Sequence, residues 1–213
     1  SISDEDFKKL LSVISDEDSV ETLKGANKLN KRNFYRPFIK ESFELAAYTG
    51  MRIEEVTFLK FKDVVEDVNG NILYLKGTDL KFERSHNMDA SKPTKYVYIP
   101  LTPELNDLLI RMDYPEKKGV DRYLIDGDET MSRKALAKYM SHAFTFYRKK
   151  AGLPDDISIK HLRKTFLSKL ETQTNMSTMA GYQRTPRVTI NHYIDKSSVV
   201  REIAQRGFRF FKL

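Results

Sequence analysis

The sequence predicts an α+β fold, mainly helical, with a small antiparallel β-hairpin or sheet packed beside a helical bundle. Three observations carry that expectation. Apolar residues recur at helical spacing along most of the chain. That spacing gives way to β-branched and aromatic runs in two short stretches, Ile72 to Leu75 and Tyr96 to Ile99. A chain of 213 residues, 40% hydrophobic and 11% aromatic, can bury a real core, as one large domain or two small ones.

Taken in order, Ser3 is placed to cap a helix over Asp4 to Ile14, whose apolar face is Phe7, Leu10, Leu11 and Ile14. Ser15 to Arg36 is charged and poorly periodic. Pro37 stands where a helix can start, Phe38 to Tyr48 suits a buried helix, and Gly50 suits its C-terminal cap. A short helix follows over Glu54 to Leu59. The two strand-like runs form a hairpin, and the polar segment Lys76 to Lys95, broken by Gly77 and Pro93, reads as its long connection. Helices then cover Pro103 to Met112, capped by Thr102, and Ser132 to Lys150, with Leu136, Tyr139, Met140, Ala143, Phe144 and Tyr147 on one face. Ser158 to Leu170, Met176 to Ala180, Arg187 to Tyr193 and Ser197 to Gln205 complete the helical set. The basic, aromatic end, Arg206 to Leu213, packs either on its own domain or on a neighbouring molecule.

Composition excludes several classes. No apolar run approaches the roughly 18–20 residues that span a bilayer, and the acidic start, Ser1 to Lys9, is unlike a signal peptide. Without cysteine there are no disulfides and no thiolate metal sites. A net charge of +7, with Lys and Arg scattered through the chain, favours an anionic partner on a folded basic face.

Three strings carry chemistry. In Thr49-Gly50-Met51-Arg52-Ile53-Glu54-Glu55-Val56, Gly50 turns the chain and Arg52 projects from the start of the next helix. Glu55 lies one turn on and can fix the Arg52 fork, although alone such a pair is an ordinary surface ion pair. In Ile159-Lys160-His161-Leu162-Arg163-Lys164-Thr165-Phe166, helical spacing puts Lys160, Arg163 and Lys164 on nearly one face, with Phe166 and Leu170 available for the core. In Gly181-Tyr182-Gln183-Arg184-Thr185-Pro186-Arg187-Val188-Thr189-Ile190-Asn191-His192-Tyr193, Tyr193 falls in a basic neighbourhood. It is one of 11 tyrosines, so its weight comes from the order of the three strings.

In that order the strings resemble the catalytic domain of tyrosine recombinases, the phage integrase family, over nearly the whole chain, residues 1–213. Thr49-Gly50-Met51-Arg52-Ile53-Glu54-Glu55 looks like the first-arginine box, typically Thr-Gly-x-Arg-x-x-Glu, and Lys160-His161-Leu162-Arg163 looks like the His-x-x-Arg box. Tyr193 follows Arg163 close to where the family carries its nucleophile. Two departures stand out. Lys160 occupies the box's histidine position, with His161 one place later. The family's Gly-His before the tyrosine is replaced by Gly181-Tyr182, two residues too early, while Arg184 stands at the usual distance; of the two, Arg184 is preferred as the cationic donor. The hairpin lysine of the family is matched to Lys92, in Ser91-Lys92-Pro93-Thr94 before Ile99-Pro100, with Lys76 and Lys81 as alternatives.

The resemblance implies strand cleavage and rejoining of double-stranded DNA through a 3′-phosphotyrosyl link, with no ATP. Arg52 and Arg163 would hold the phosphate, Lys160 or His161 would take the Tyr193 proton, and Lys92 would return one to the leaving oxygen. No cofactor or metal is expected; the sequence has no His-x-x-x-His pair and no tight carboxylate cluster near the basic boxes. The resemblance further implies a tetramer on synapsed DNA, a monomer in isolation, and a cytoplasmic, nucleoid-associated location. It also implies an N-terminal DNA-clamping domain outside this chain. Tyrosine-type transposases and resolvases would use the same residues, and an inactive DNA-binding relative is the reading from another class.

Overall fold

The computed structural model describes residues 1–22, 30–86, 94–127, 131–176, 182 and 195–211, with the backbone alone for 85 and 86. Helix α1, Asp4–Ser12, begins where Ser3 Oγ accepts the Asp6 N–H at 3.1 Å, and its acidic first turn complements the helix dipole. Phe7, Leu10 and Leu11 face the core. The charged, poorly periodic stretch that follows holds a small hairpin, β1 (Val20–Thr22) and β2 (Lys31–Asn33), paired Val20 to Asn33 and Thr22 to Lys31. β1 is exposed throughout and β2 nearly so, so no alternation of apolar and polar residues announces them.

Helix α2, Ile39–Thr49, is central: nine of its 11 residues are buried. It packs against α8, α5, α7 and α3, defined below. Its buried polar residues, Ser42, Glu44 and Thr49, are each hydrogen-bonded. Ser42 and Thr49 hydroxyls donate to the carbonyls of Ile39 and Leu45 at 2.7 and 2.6 Å, and Glu44 accepts both Nη groups of Arg111 at 2.9 and 3.1 Å. Phe43 meets Phe144 and Tyr147 edge-on, with centroids 5.4 and 6.4 Å apart. Gly50 ends the helix at φ +61°, and a Cβ there would lie 2.1 Å from the Phe166 ring, so both backbone and packing demand glycine.

Short α3, Ile53–Phe58, leads through a tight 3-10 turn, Phe61–Asp63, into a three-stranded antiparallel sheet. Its order is β3 (Val64–Glu66), β4 (Ile72–Thr78), β5 (Tyr96–Pro100), with Leu75 paired to Val64 on one side and Ile99 on the other. The expected hairpin is therefore the β4–β5 pair, extended by an edge strand. Lys76, expected in the hairpin connection, lies within β4, and part of that connection is helical, α4, Leu80–His86.

The rest that is described follows the expected order, while 177–180 and Arg187 to Tyr193, where two further helices are expected, lie outside the described residues. Helix α5, Pro103–Arg111, has Thr102 as its cap, and a one-turn α6, Tyr114–Lys117, follows it. Helix α7, Arg133–Lys150, has Ser132 as its cap, α8 is Lys160–Thr174, and α9, Lys196–Gln205, is capped by Asp195. Helix α9 packs on β5 and β4. The segment after α9, through Phe211, docks on its own domain, one of its two expected destinations. Phe208 and Phe210 are buried, Phe210 lies 5.8 Å from Phe7 and 5.3 Å from Tyr48, and Phe208 lies 5.4 Å from Phe166. The Lys169 ammonium joins Asp4 to the Phe210 carbonyl.

Candidate active site

Three helix ends meet at the site. Gly50 turns the chain so that Arg52 becomes the N-cap of α3, in extended backbone at ψ 146°. From one turn on, Glu55 reaches back: Oε2 accepts the Arg52 N–H at 2.9 Å and Oε1 accepts Nη1 at 2.7 Å. The Glu55 side chain is 1% exposed against 39% for Arg52. What the sequence offered as a surface ion pair is thus a buried carboxylate holding a half-exposed fork. Among the described residues, Arg52 Nη2 and Nε carry no hydrogen bond.

Arg163 comes from the first turns of α8, and its anchors are main-chain oxygens. Nη1 donates to the Gly50 carbonyl at 2.6 Å and Nη2 to the Tyr182 carbonyl at 2.9 Å. Burial first, and then the neighbouring Arg52 charge, hold the Arg163 guanidinium below its ordinary range. Tyr182 is fully enclosed. Its hydroxyl donates to the Thr49 carbonyl at 2.6 Å, and burial, aided by Glu55, pushes its phenol well up. Two terminal carbonyls of α2 are therefore taken by side chains from elsewhere in the chain, which satisfies a helix end and locks Arg163 beside Arg52.

The loop entering α8 is fixed by Arg148, a buried side chain that donates to Asp155 Oδ1 at 2.7 Å, to the Asp155 carbonyl, and to the Ile157 carbonyl at 3.4 Å. Lys160, first residue of α8, shares a cavity of about 340 Å³ with Arg52, Arg163, Met51, Ile53 and Leu162. An open groove of about 580 Å³ continues past Lys160, Arg163 and Lys164 along α8. His161 does not line either. Its Nδ1 accepts the Ser158 N–H at 3.0 Å, a local bond at the start of the helix.

Of the hairpin lysines, Lys76 lies over the Tyr96 ring at 3.9 Å from its centroid. Lys81 lines a second pocket, about 530 Å³, with Arg52, Glu54, Glu55 and Arg84. Lys92, Arg184 and Tyr193 lie outside the described residues. So Arg52, Glu55, Arg163, Lys160 and Tyr182 come together, and Lys76 and His161 are engaged elsewhere.

Three further residues join the site. Asp79, 5% exposed, places Oδ1 at 3.4 Å from Arg52 Nη1 and Oδ2 at 3.7 Å from Lys95 Nζ. Lys196 faces the same group; burial, then Lys95, lower its ammonium, while Asp79 raises it. A signal for Asp79 existed: an aspartate just after a strand and before a helical turn has N-cap spacing, and its Oδ1 accepts the Phe82 N–H at 3.1 Å.

The model of the phage integrase family matches residues 4–196. Among solved structures, the integrase from mycobacterium phage Brujita is similar in fold, with a TM-score of 0.56 at 16% identity. The match covers 99% of this chain and 58% of that one. No curated protein matches. Among the described residues, no helix is long and apolar enough to cross a membrane.

Proposed function

We propose, from the premise that the chain belongs to the phage integrase family, that it cuts and rejoins double-stranded DNA by transesterification through Tyr193. The Tyr193 oxygen attacks the scissile phosphorus, the bond from phosphorus to the 5′ oxygen breaks, and a 3′-phosphotyrosyl link forms. A free 5′-hydroxyl is left, and its return attack reverses the step, so no ATP is consumed. Arg52 and Arg163 neutralise the non-bridging oxygens, most strongly as charge accumulates in the pentacoordinate transition state.

The observation that carries this reading is the pairing of two guanidiniums and Lys160 at one cavity, each arginine held by its own buried partners. Ordinary surface chemistry does not bring like charges together and then lower one of them by burial. Tyr193 must lose a proton to attack, and Lys160 is the acceptor favoured over His161, whose Nδ1 is held by Ser158. Lys92 supplies the proton to the leaving oxygen. Arg184 makes the remaining phosphate contact in preference to Tyr182, whose hydroxyl is spent on Thr49. Two such chains per crossover site, four on the synapsed pair, exchange strands in turn.

A nicked DNA site, from which the cleaved end diffuses away, tests the reading. The wild-type chain should accumulate a covalent protein–DNA adduct on denaturing gels, and Tyr193→Phe should give none. An adduct that persists in Tyr193→Phe, or none from the wild-type chain on any family-type site, would overturn it.

A further inference from the structure

We propose that Asp79 is a positioning residue for Arg52, through which the start of α4, Lys95 and the Arg52 fork are held in one arrangement; this rests on the strand-transfer reading above. Asp79 is engaged through every polar group it has. Its N–H donates to the Lys95 carbonyl at 2.9 Å, adding a rung beyond the β4–β5 ladder, and its carbonyl accepts the Glu83 N–H at 3.1 Å. Oδ1 accepts the Phe82 N–H at 3.1 Å and faces Arg52 Nη1 at 3.4 Å, while Oδ2 faces Lys95 Nζ. The Lys95 N–H in turn donates to Glu83 Oε1 at 3.1 Å. The connection that carries Lys92 thus leaves from α4 and returns at Lys95, and both of its ends are tied to Asp79.

The cap alone does not explain an aspartate. Asn and Ser cap a short helix about as well and bring no charge that must be buried. The charge has other partners: Arg52 at the N-cap of α3, Lys95 just before β5 and, through its field, Lys196 of α9. Glu55 grips Nη1 of Arg52 from its own helix, and Asp79 approaches the same nitrogen from the sheet. Two carboxylates on one nitrogen fix the rotation of the fork and leave Nη2 and Nε available for a non-bridging phosphate oxygen.

Capping and charge can be separated by two neutral, cap-competent variants, Asp79→Asn and Asp79→Ser. Adduct formation on the nicked site, followed at saturating DNA, should slow by about 10- to 100-fold in both, with DNA affinity unchanged or tighter, since a negative charge leaves a basic face. The Arg52 side-chain N–H signal in ¹⁵N spectra, assigned by its loss in Arg52→Lys, should shift and exchange faster with water in both. A folded variant of either kind that cleaves within twofold of wild type, with the Arg52 signal unmoved, would overturn the proposal and reduce Asp79 to a cap. If the wild-type chain itself forms no adduct, strand transfer fails. The Arg52 signal then still decides whether Asp79 holds the fork.

Discussion

The two arginines of the site differ in how they are held. Arg52 is pinned by carboxylates, Glu55 and Asp79, and keeps 39% of its side chain exposed. Arg163 is pinned by neutral carbonyls, those of Gly50 and Tyr182, and is more deeply enclosed. A carboxylate partner orients a guanidinium while offsetting much of its charge. A carbonyl partner orients it and leaves the charge intact. On the proposed reading Arg52 serves geometry and Arg163 field strength, and the Arg163 side chain is held by closing a helix end.

That contrast is broken most directly by replacing each arginine with lysine. Both changes should slow adduct formation by about 100- to 1,000-fold. Only Arg163→Lys should also destabilise the fold, because it leaves carbonyls of Gly50 and Tyr182 short of a donor, at about 2–4 kcal/mol in all. At this chain length that is a fall in melting temperature of about 5–10 °C. Equal melting temperatures for the two variants would erase the distinction. Glu55→Gln should come next. Loss of the buried charge frees the Arg52 fork, slows cleavage by about tenfold or more, and costs about 1–3 kcal/mol on thermal melting.

Tyr182→Phe sharpens the Arg163 side. It keeps the backbone carbonyl that Arg163 uses and removes only the bond to Thr49, so a loss of about 1 kcal/mol is expected with cleavage within about threefold of wild type. A collapse of cleavage would return the last phosphate contact to Tyr182. The smallest effect is on alkaline stability. The folded Tyr182 phenol ionises at higher pH than the unfolded one, whose value is 10.0, so its contribution is complete below pH 10 and is lost as pH rises further. Tyr48 and Tyr114 shift the same way, so Tyr182→Phe should flatten only part of the alkaline decline in a denaturant titration.

Local chemistry made part of this legible in the sequence. Ser3, Thr102 and Ser132 mark helix starts, Gly50 marks a stop, and Arg52 with Glu55 is readable because both lie within one turn. The family follows from three strings in order, and the matched residues 4–196 agree with it. What escaped was either two-sided or distant. The β1–β2 hairpin has no buried face to impose alternation, and β3 is three residues long. Helix α4 is short and lies in a polar stretch, where one capping aspartate, Asp79, is a weak signal beside Gly77 and Pro93. Asp79, Lys95 and Lys196 meet only through the β4–β5 pairing and the packing of α9 on it, which no spacing in the chain announces.

The grip of Lys169 on Asp4 at one end and on the Phe210 carbonyl at the other has a consequence for synthesis. Helix α8 carries Arg163, yet its far side is sealed by Phe208 and Phe210, the latter 41 positions after Lys169. A nascent chain that has already displayed its first arginine still lacks the packing that seats the second. The seating of Arg163 is thus expected to wait until the chain through Phe210 has left the ribosome.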